Sequence, residues 1–514
     1  MKSLLLLCLL GSLALTTPPL VIAQSNPEWM WANKVAGAET TPGRHIFTNA
    51  AGITYWLGSF TGTVQVGTSQ FTSHGASSDI LLVCYDAAGG VQWAHQVSNG
   101  TGEEKGYGIT VDESGNIYLT GTFQGEATFG TTTITSNSNS VDYFVMKMNA
   151  SREIQWATSG GQSSSDEIFS IGVDTEGNSY LAGRISIVDE HPKDYAYLAK
   201  YSSGGQLLWS RTFRDMTLPY HTTRNTFYDI AVDKAGNSYA VGSLVTLYTD
   251  GHHGILVAKH DKDGNLQWRK VETGRYGHGI GFGIATDNQG NCFTTGEFYG
   301  NVSFGNIGRF GDNDAFIVKY AADGTAVWVS QSGGREGEQG RGIVVDEAGN
   351  SYVTGYFQET ARFGEQSLTS NGDKDMFIAQ YDPQGTLVWV KQAGGSGTDI
   401  GYKPGVDKAG NVYVNGWFNG TVSFDSHSQT ADAGGSTMLG RLPSPTCTNM
   451  YTVKSGDWND ATVWSCGKVP TSLNSVTISA GHTITLSTNR EVHSVQLLGS
   501  LHLAEGYSLA LTQE

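Results

Sequence analysis

The sequence predicts an all-β fold made of seven repeats, and three observations predict it. The first is a recurring segment. VDESGNIYLTGTF from Val111 returns as VDTEGNSYLAGRI from Val173, VDKAGNSYAVGSL from Val232, TDNQGNCFTTGEF from Thr286, VDEAGNSYVTGYF from Val345 and VDKAGNVYVNGWF from Val406, with a degenerate copy, TNAAGITYWLGSF, from Thr48. The second is one Trp per repeat, at Trp31, Trp93, Trp156, Trp209, Trp268, Trp328 and Trp389. The third is composition: 68 glycines in 514 residues, with only 15% charged residues. Glycine at that level without a collagen period implies many tight turns between short strands. Together these features predict a seven-bladed β-propeller of four-stranded blades, followed by a small all-β module.

The elements are taken in chain order. Residues 1–23 carry Lys2, an apolar run from Leu4 to Leu15 and the triplet Val21-Ile22-Ala23, the pattern of a signal peptide cleaved before Gln24. That run is too short to span a bilayer, and nothing later approaches the roughly 20 apolar residues a spanning helix needs. No transmembrane segment is expected, and the mature chain is expected to be secreted, extracellular or on the outer cell surface.

Residues 24–444 form the expected propeller. Its first strand, around EWMWANKV from Glu28, has the look of a fourth strand standing before any first hairpin, while the last repeat ends at STMLGRL from Ser436, a third strand with no fourth after it. The N-terminal strand is therefore expected to complete the last blade, which removes exposed sheet edges.

Within each repeat the segment reads as strand, turn, strand. The Asp opens the turn and accepts backbone N–H bonds, and the glycine three residues on suits a left-handed turn position. A glycine also recurs in the second strand, at Gly58, Gly121, Gly183, Gly242, Gly296, Gly355 and Gly416. A second hairpin follows, as in DAFIVKYAADGTAVWVSQSGG from Asp314 and DMFIAQYDPQGTLVWVKQAGG from Asp375. The Asp before the third strand (Asp79, Asp142, Asp194, Asp314, Asp375) is expected to cap backbone N–H groups, and the Trp to pack between blades. Cys84 and Cys292 lie in apolar strands and read as small buried hydrophobes.

The patterns DxxGNxYxxGxF and DxFVxKYxxxGxxxW resemble the SBBP-type seven-bladed β-propeller repeat of secreted bacterial proteins, over residues 28–442. The resemblance implies the fold and leaves function open, since propellers host binding, scaffolding and catalysis alike.

Residues 445–514 break the pattern. SGDWNDATVWSCGKVP from Ser455 and the short pieces Ser475 to Ser479, His482 to Leu486, Val492 to Leu498 and Ser508 to Leu511 read as a β-rich module. The GDWxxxxxW and GKVP run is similar to the G8 domain of Bacteroidetes-type surface proteins. Cys447 and Cys466 are close in an exported chain, so a disulfide between them is expected. Trp458 and Trp464 are either core residues or, for one of them, an exposed platform for sugar.

The net charge of -17 would repel a phosphate backbone, so nucleic acid is not an expected partner. No Walker loop, HExxH, GxSxG or CxxC is present, and no cofactor or metal is expected. The DxxGN turns, recurring at one hairpin position in all seven repeats with a degenerate first copy at Asn49, read as turn chemistry rather than calcium loops.

A binding site is expected where the loops from each outer strand to the next inner strand gather around the axis. Those loops contain Glu103, Glu104 and Lys105, Asp166 and Glu167, Arg214 and Asp215, Tyr276, Arg335 and Glu336, and Lys403. The candidate ligand-binding residues are Tyr107, Asp166, Tyr220, His221, Arg275, His278, Glu338, Arg341, Asp399 and Tyr402. The expected function is non-catalytic binding of a polysaccharide or an extracellular protein. One alternative is an enzyme acting on extracellular polysaccharide through Asp166, Glu338 and Asp399; the other is a structural spacer.

Overall fold

The structure is a computed structural model that describes residues 27–35, 40–41, 45–100, 102–162, 164–187, 193–213, 225–245, 253–272, 278–300, 310–432, 434–444, 449–452, 454–460, 463–464, 469–470, 474–492 and 494–511. The expected signal peptide and both Cys447 and Cys466 lie outside the described residues.

Seven antiparallel sheets form the propeller. Blade 2 shows the plan, with Glu104–Val111 innermost, then Ile117–Gln124, Val141–Met148 and Ile154–Gly160 outermost. Blades 3 to 6 repeat it from the inner strands Glu167–Val173, Thr226–Val232, His278–Thr286 and Gln339–Val345. Blade 1 is built on Ile46–Thr48, Thr54–Phe60, Asp79–Tyr85 and Val91–Gln96. In blade 7 the outer strand is Trp31–Lys34, which pairs with Ser436–Leu442 so that Trp31 lies opposite Arg441 and Lys34 opposite Met438. The N-terminal strand closes the ring, as the sequence predicts.

The turns form as their residues dictate. Asp112 Oδ1 accepts the N–H groups of Ser114 at 3.0 Å and Asn116 at 2.9 Å, and Gly115 takes a φ of +80°. Asp174, Asp233, Asp287 and Asp346 do the same in their own turns. Four of the five expected third-strand Asp caps form: backbone N–H groups of His74, Asn137, Phe310 and Asn371 donate to Asp79, Asp142, Asp314 and Asp375, while Asp194 accepts the Ser186 hydroxyl and pairs with Arg184 instead.

The Trp residues join blades. The indole N–H of Trp156, Trp209, Trp268 and Trp328 donates to Ser203, Lys262, Ala322 and Pro383, each in the outer hairpin turn of the next blade, at 2.9 to 3.1 Å. Trp31 donates to Ala87 O at 3.2 Å and so carries the same clamp across the closure. Each ring lies on a turn glycine; a Cβ on Gly205 would stand 2.7 Å from the Trp156 ring. Trp389 has no such turn ahead of it, because the outer strand of blade 7 comes from the N-terminus, and it bonds Gln380 instead.

Two features were not read from the sequence. Short extra hairpins lie between second and third strands, and those at Thr360–Phe363/Gln366–Thr369 and Thr421–Phe424/His427–Thr430 extend the outer edge of the preceding blade. The C-terminal module is all-β as expected, but its strands stack in parallel: Ser475 opposite Ser494, Thr483 opposite Ser500, Arg490 opposite Leu509. Trp458 and Trp464 are both buried in its core, 4.7 Å apart edge to face, beside Ile478, Ile484 and Leu486. The core reading holds for both. Cys84 and Cys292 are buried and unpaired.

Candidate functional site: the axial collar

The recurrent second-strand glycine explains how the axis is lined. In blades 2 to 6 the inner strand carries a bulge opposite that glycine, at Tyr107, Phe169, Tyr228, Phe282 and Arg341. A Cβ on Gly121, Gly183, Gly242, Gly296 or Gly355 would come within 1.8 to 2.0 Å of an inner-strand carbonyl oxygen. Glycine thus permits the bulge, and the bulge re-aims one side chain per blade. Blade 7 achieves the same by breaking its inner strand between Gly401 and Gly405, at Tyr402 and Lys403.

The re-aimed side chains form a collar. Tyr107 lies 5.9 Å from Phe169, Phe169 5.7 Å from Tyr228, and Tyr228 5.3 Å from Phe282, all tilted ring contacts. The Arg341 guanidinium continues the series 4.9 Å above Phe282. All five are half-buried. Each tilted pair contributes about 0.5–1.5 kcal/mol beyond its buried area, so the collar is partly self-supporting.

At its centre is Asp229, fully buried. Its oxygens accept Lys403 Nζ at 2.7 and 2.9 Å, Ser170 Oγ at 2.6 Å, and the backbone N–H groups of Ile230 and Ile284. Burial works to raise this carboxyl, but Lys403, His45 and Ser170 outweigh it and hold Asp229 below the ordinary value. His45, Phe169, Tyr228, Asp229, Phe282, Arg341, Tyr402 and Lys403 line a cavity of about 40 Å³.

A second set of groups lies at the blade junctions. Glu104, Asp166, Glu338 and Asp399 open the inner strands of their blades, and each backbone N–H donates to a carbonyl at the third-strand opening of the blade before. Asp166, Glu338 and Asp399 also accept a backbone N–H at or just beyond the end of the preceding blade's outer strand, that of Gln162, Gly334 and Gly395. Burial is the main cause of their raised pKa values: about 8 for Glu104, about 6 for Asp166, about 8 for Glu338 and about 7 for Asp399. Asp79, Asp142, Asp314 and Asp375, facing them from the preceding blade, push in the same direction.

The predicted site residues therefore divide. Tyr107, Arg341 and Tyr402 stand in the collar. Asp166, Glu338 and Asp399 are wholly buried at three different junctions, where they accept backbone N–H groups. His278 opens the inner strand of blade 5 opposite Tyr299. Tyr220, His221 and Arg275 lie outside the described residues. Sequence reasoning passed over His45, Phe169, Tyr228, Asp229 and Phe282. A signal was present: Tyr107, Phe169, Tyr228, Phe282, Arg341 and Tyr402 all stand at one fixed distance before the turn aspartate of their repeat. Among the described residues, no group of three or more His, Cys, Asp or Glu is placed to hold a metal ion, and no helix is long and apolar enough to cross a membrane.

Comparison with known families agrees with the repeat architecture. Residues 92–122 and 327–356 match the family described as Beta-propeller repeat. An uncharacterised WD repeat-containing protein of Acanthamoeba polyphaga mimivirus is 25% identical over 195 residues, a match spanning 32% of this chain and 14% of that protein. Among solved structures, a protein of unknown function from Dyadobacter fermentans is similar at a TM-score of 0.38 and 10% identity, covering 80% of this chain and 99% of that one. An alpha-L-arabinanase from Penicillium chrysogenum, solved with arabinobiose, is similar at a TM-score of 0.36 and 9% identity, covering 66% of this chain and 92% of its own.

Proposed function

We propose that the chain is an exported, non-catalytic binding protein that holds an extracellular polysaccharide at the axial mouth of the propeller. The observation that carries this reading is the collar: Tyr107, Phe169, Tyr228 and Phe282 present half-buried aromatic faces around one axis, where a sugar's C–H face can stack and its hydroxyls can reach Tyr, Arg and Lys donors. The carboxylates considered for glycoside cleavage do not support the enzymatic alternative. Asp166, Glu338 and Asp399 are buried and occupied by backbone N–H groups, and Asp229 is saturated by its own partners.

The test is binding of the whole protein to a panel of soluble glycans and insoluble polysaccharides, beside Phe169→Ala and Tyr228→Ala. Saturable binding that falls about tenfold in each variant, the equivalent of ~1.4 kcal/mol, is the expected result. Binding that is indifferent to both substitutions would move the site away from the axis.

A further inference from the structure

We propose that the ligand of the collar is an acidic polysaccharide, and that Arg341 receives the carboxylate of one uronic-acid unit while the collar aromatics stack on its ring. This rests on the binding reading above and adds the charge class of the ligand.

The argument starts from which charges at the axis are already spent. Lys403 and Asp229 neutralise one another at 2.7 Å, and Asp229 has no further acceptor to offer. Arg341 is different. It stands where the preceding blades place an aromatic ring, and no described carboxylate lies within ion-pair distance of it. Its guanidinium is held by rings instead, 4.9 Å from Phe282 and 5.9 Å from Tyr356. Its Nε is buried without a hydrogen-bond partner. A guanidinium packed on rings, with no carboxylate of its own among the described residues, is suited to receiving a carboxylate on its terminal N–H groups.

The neighbouring acids do not cancel it. Glu297 and Glu338 both act on Tyr356 from its surroundings. Burial favours the protonated form of Glu338, and Glu297, which accepts from the Asn313 amide, makes no ion pair with Arg341. Arg341 is thus a cation with no ion-pair partner among the described residues, and Lys374 stands beside it over the same Tyr356 ring at 4.3 Å, in a chain whose net charge is -17. The cavity lined by His45, Phe169, Tyr228, Asp229, Phe282, Arg341, Tyr402 and Lys403 places the guanidinium beside the aromatic faces, so one sugar unit can meet both.

The experiment is calorimetric titration of the whole protein with oligogalacturonate, with the same oligomer methyl-esterified, and with a neutral cello-oligosaccharide of equal length. The acidic oligomer is expected to bind at least tenfold more tightly than either of the others. Arg341→Gln is expected to abolish that preference, with Arg341→Lys retaining part of it. Esterification removes the charge from the ligand and leaves the protein untouched, so the comparison survives any folding defect in the variants. Equal affinity for charged and uncharged oligomers, still lost in Tyr228→Ala, would overturn the charge assignment and leave the collar reading standing. Absence of binding to every oligomer, or binding only to peptides with a free C-terminal carboxylate, would overturn both.

Discussion

Gly355 shows how much depends on a missing side chain. A Cβ there would stand 1.8 Å from the Gln339 carbonyl oxygen, on the strand whose bulge carries Arg341. Gly355→Ala is expected to force the inner strand either to lose its bulge or to move away from its neighbour. Thermal melting should show destabilisation of several kcal/mol, in the range of severe overpacking at about 1–3 kcal/mol or above. Unchanged melting would mean the bulge is not tied to the glycine. The recurrence of this glycine was legible in the sequence, but its cause was not. A bulge is a relation between two strands, and the residue it re-aims at the axis looks in sequence like any other strand aromatic. Arg341, Tyr107 and Tyr402 were found because they are polar residues near variable loops, while Phe169 and Phe282 read as ordinary apolar strand positions.

At the scale of the element, the blade junctions behave as units. At four junctions the third-strand Asp, at Asp79, Asp142, Asp314 and Asp375, is followed by an acid at the next inner-strand opening, Glu104, Asp166, Glu338 or Asp399; after Asp194 that position is Asn225, and between blades 4 and 5 both positions are glycine, Gly254 and Gly279. One oxygen each of Asp79, Glu104, Asp375 and Asp399 is buried without a donor from the surrounding strands, and burial, with the charge of the third-strand Asp, favours the protonated form of Glu104 and of Asp399. These acids are raised in the folded chain, so their protonated form is the one folding favours. Their stabilising contribution is complete below the ordinary carboxyl value of about 4 and is lost as pH rises through about 6 to about 8. The melting temperature should therefore fall between about pH 4 and pH 8, and Glu104→Gln with Glu338→Gln should flatten that slope. A slope unaffected by the double substitution would place the pH dependence elsewhere. Sequence reasoning saw one half of each pair as a cap and the other as a candidate ligand group, because only the ring arrangement brings the two together.

For the whole molecule the decisive contact is the closure. Seven repeats, one Trp in each and the displaced first strand were enough to predict the ring and its seam, since those signals are local and recur. The parallel stacking of the C-terminal module was beyond reach because its strands are few, short and not repeated in pattern. Removing residues 27–35 would delete the outer strand of blade 7 together with the Trp31 clamp on Ala87. Such a chain is expected to expose the edge of Ser436–Leu442 and to associate or precipitate, readable as a shift in light-scattering mass. A monomeric, equally stable product would show that the seam is dispensable.

The seam also has a mechanical side. Trp31–Lys34 and Ser436–Leu442 run antiparallel, with Trp31 opposite Arg441, so the chain preceding the first strand and the chain leading to the C-terminal module depart from the same end of the pair. Tension between those two departures would load the strand pair from that end, parting its hydrogen bonds one after another instead of all together. The ring is thus fastened like a zip with both pulls at one end: firm against thermal fraying from within, and easily opened by a modest force applied between its two ends.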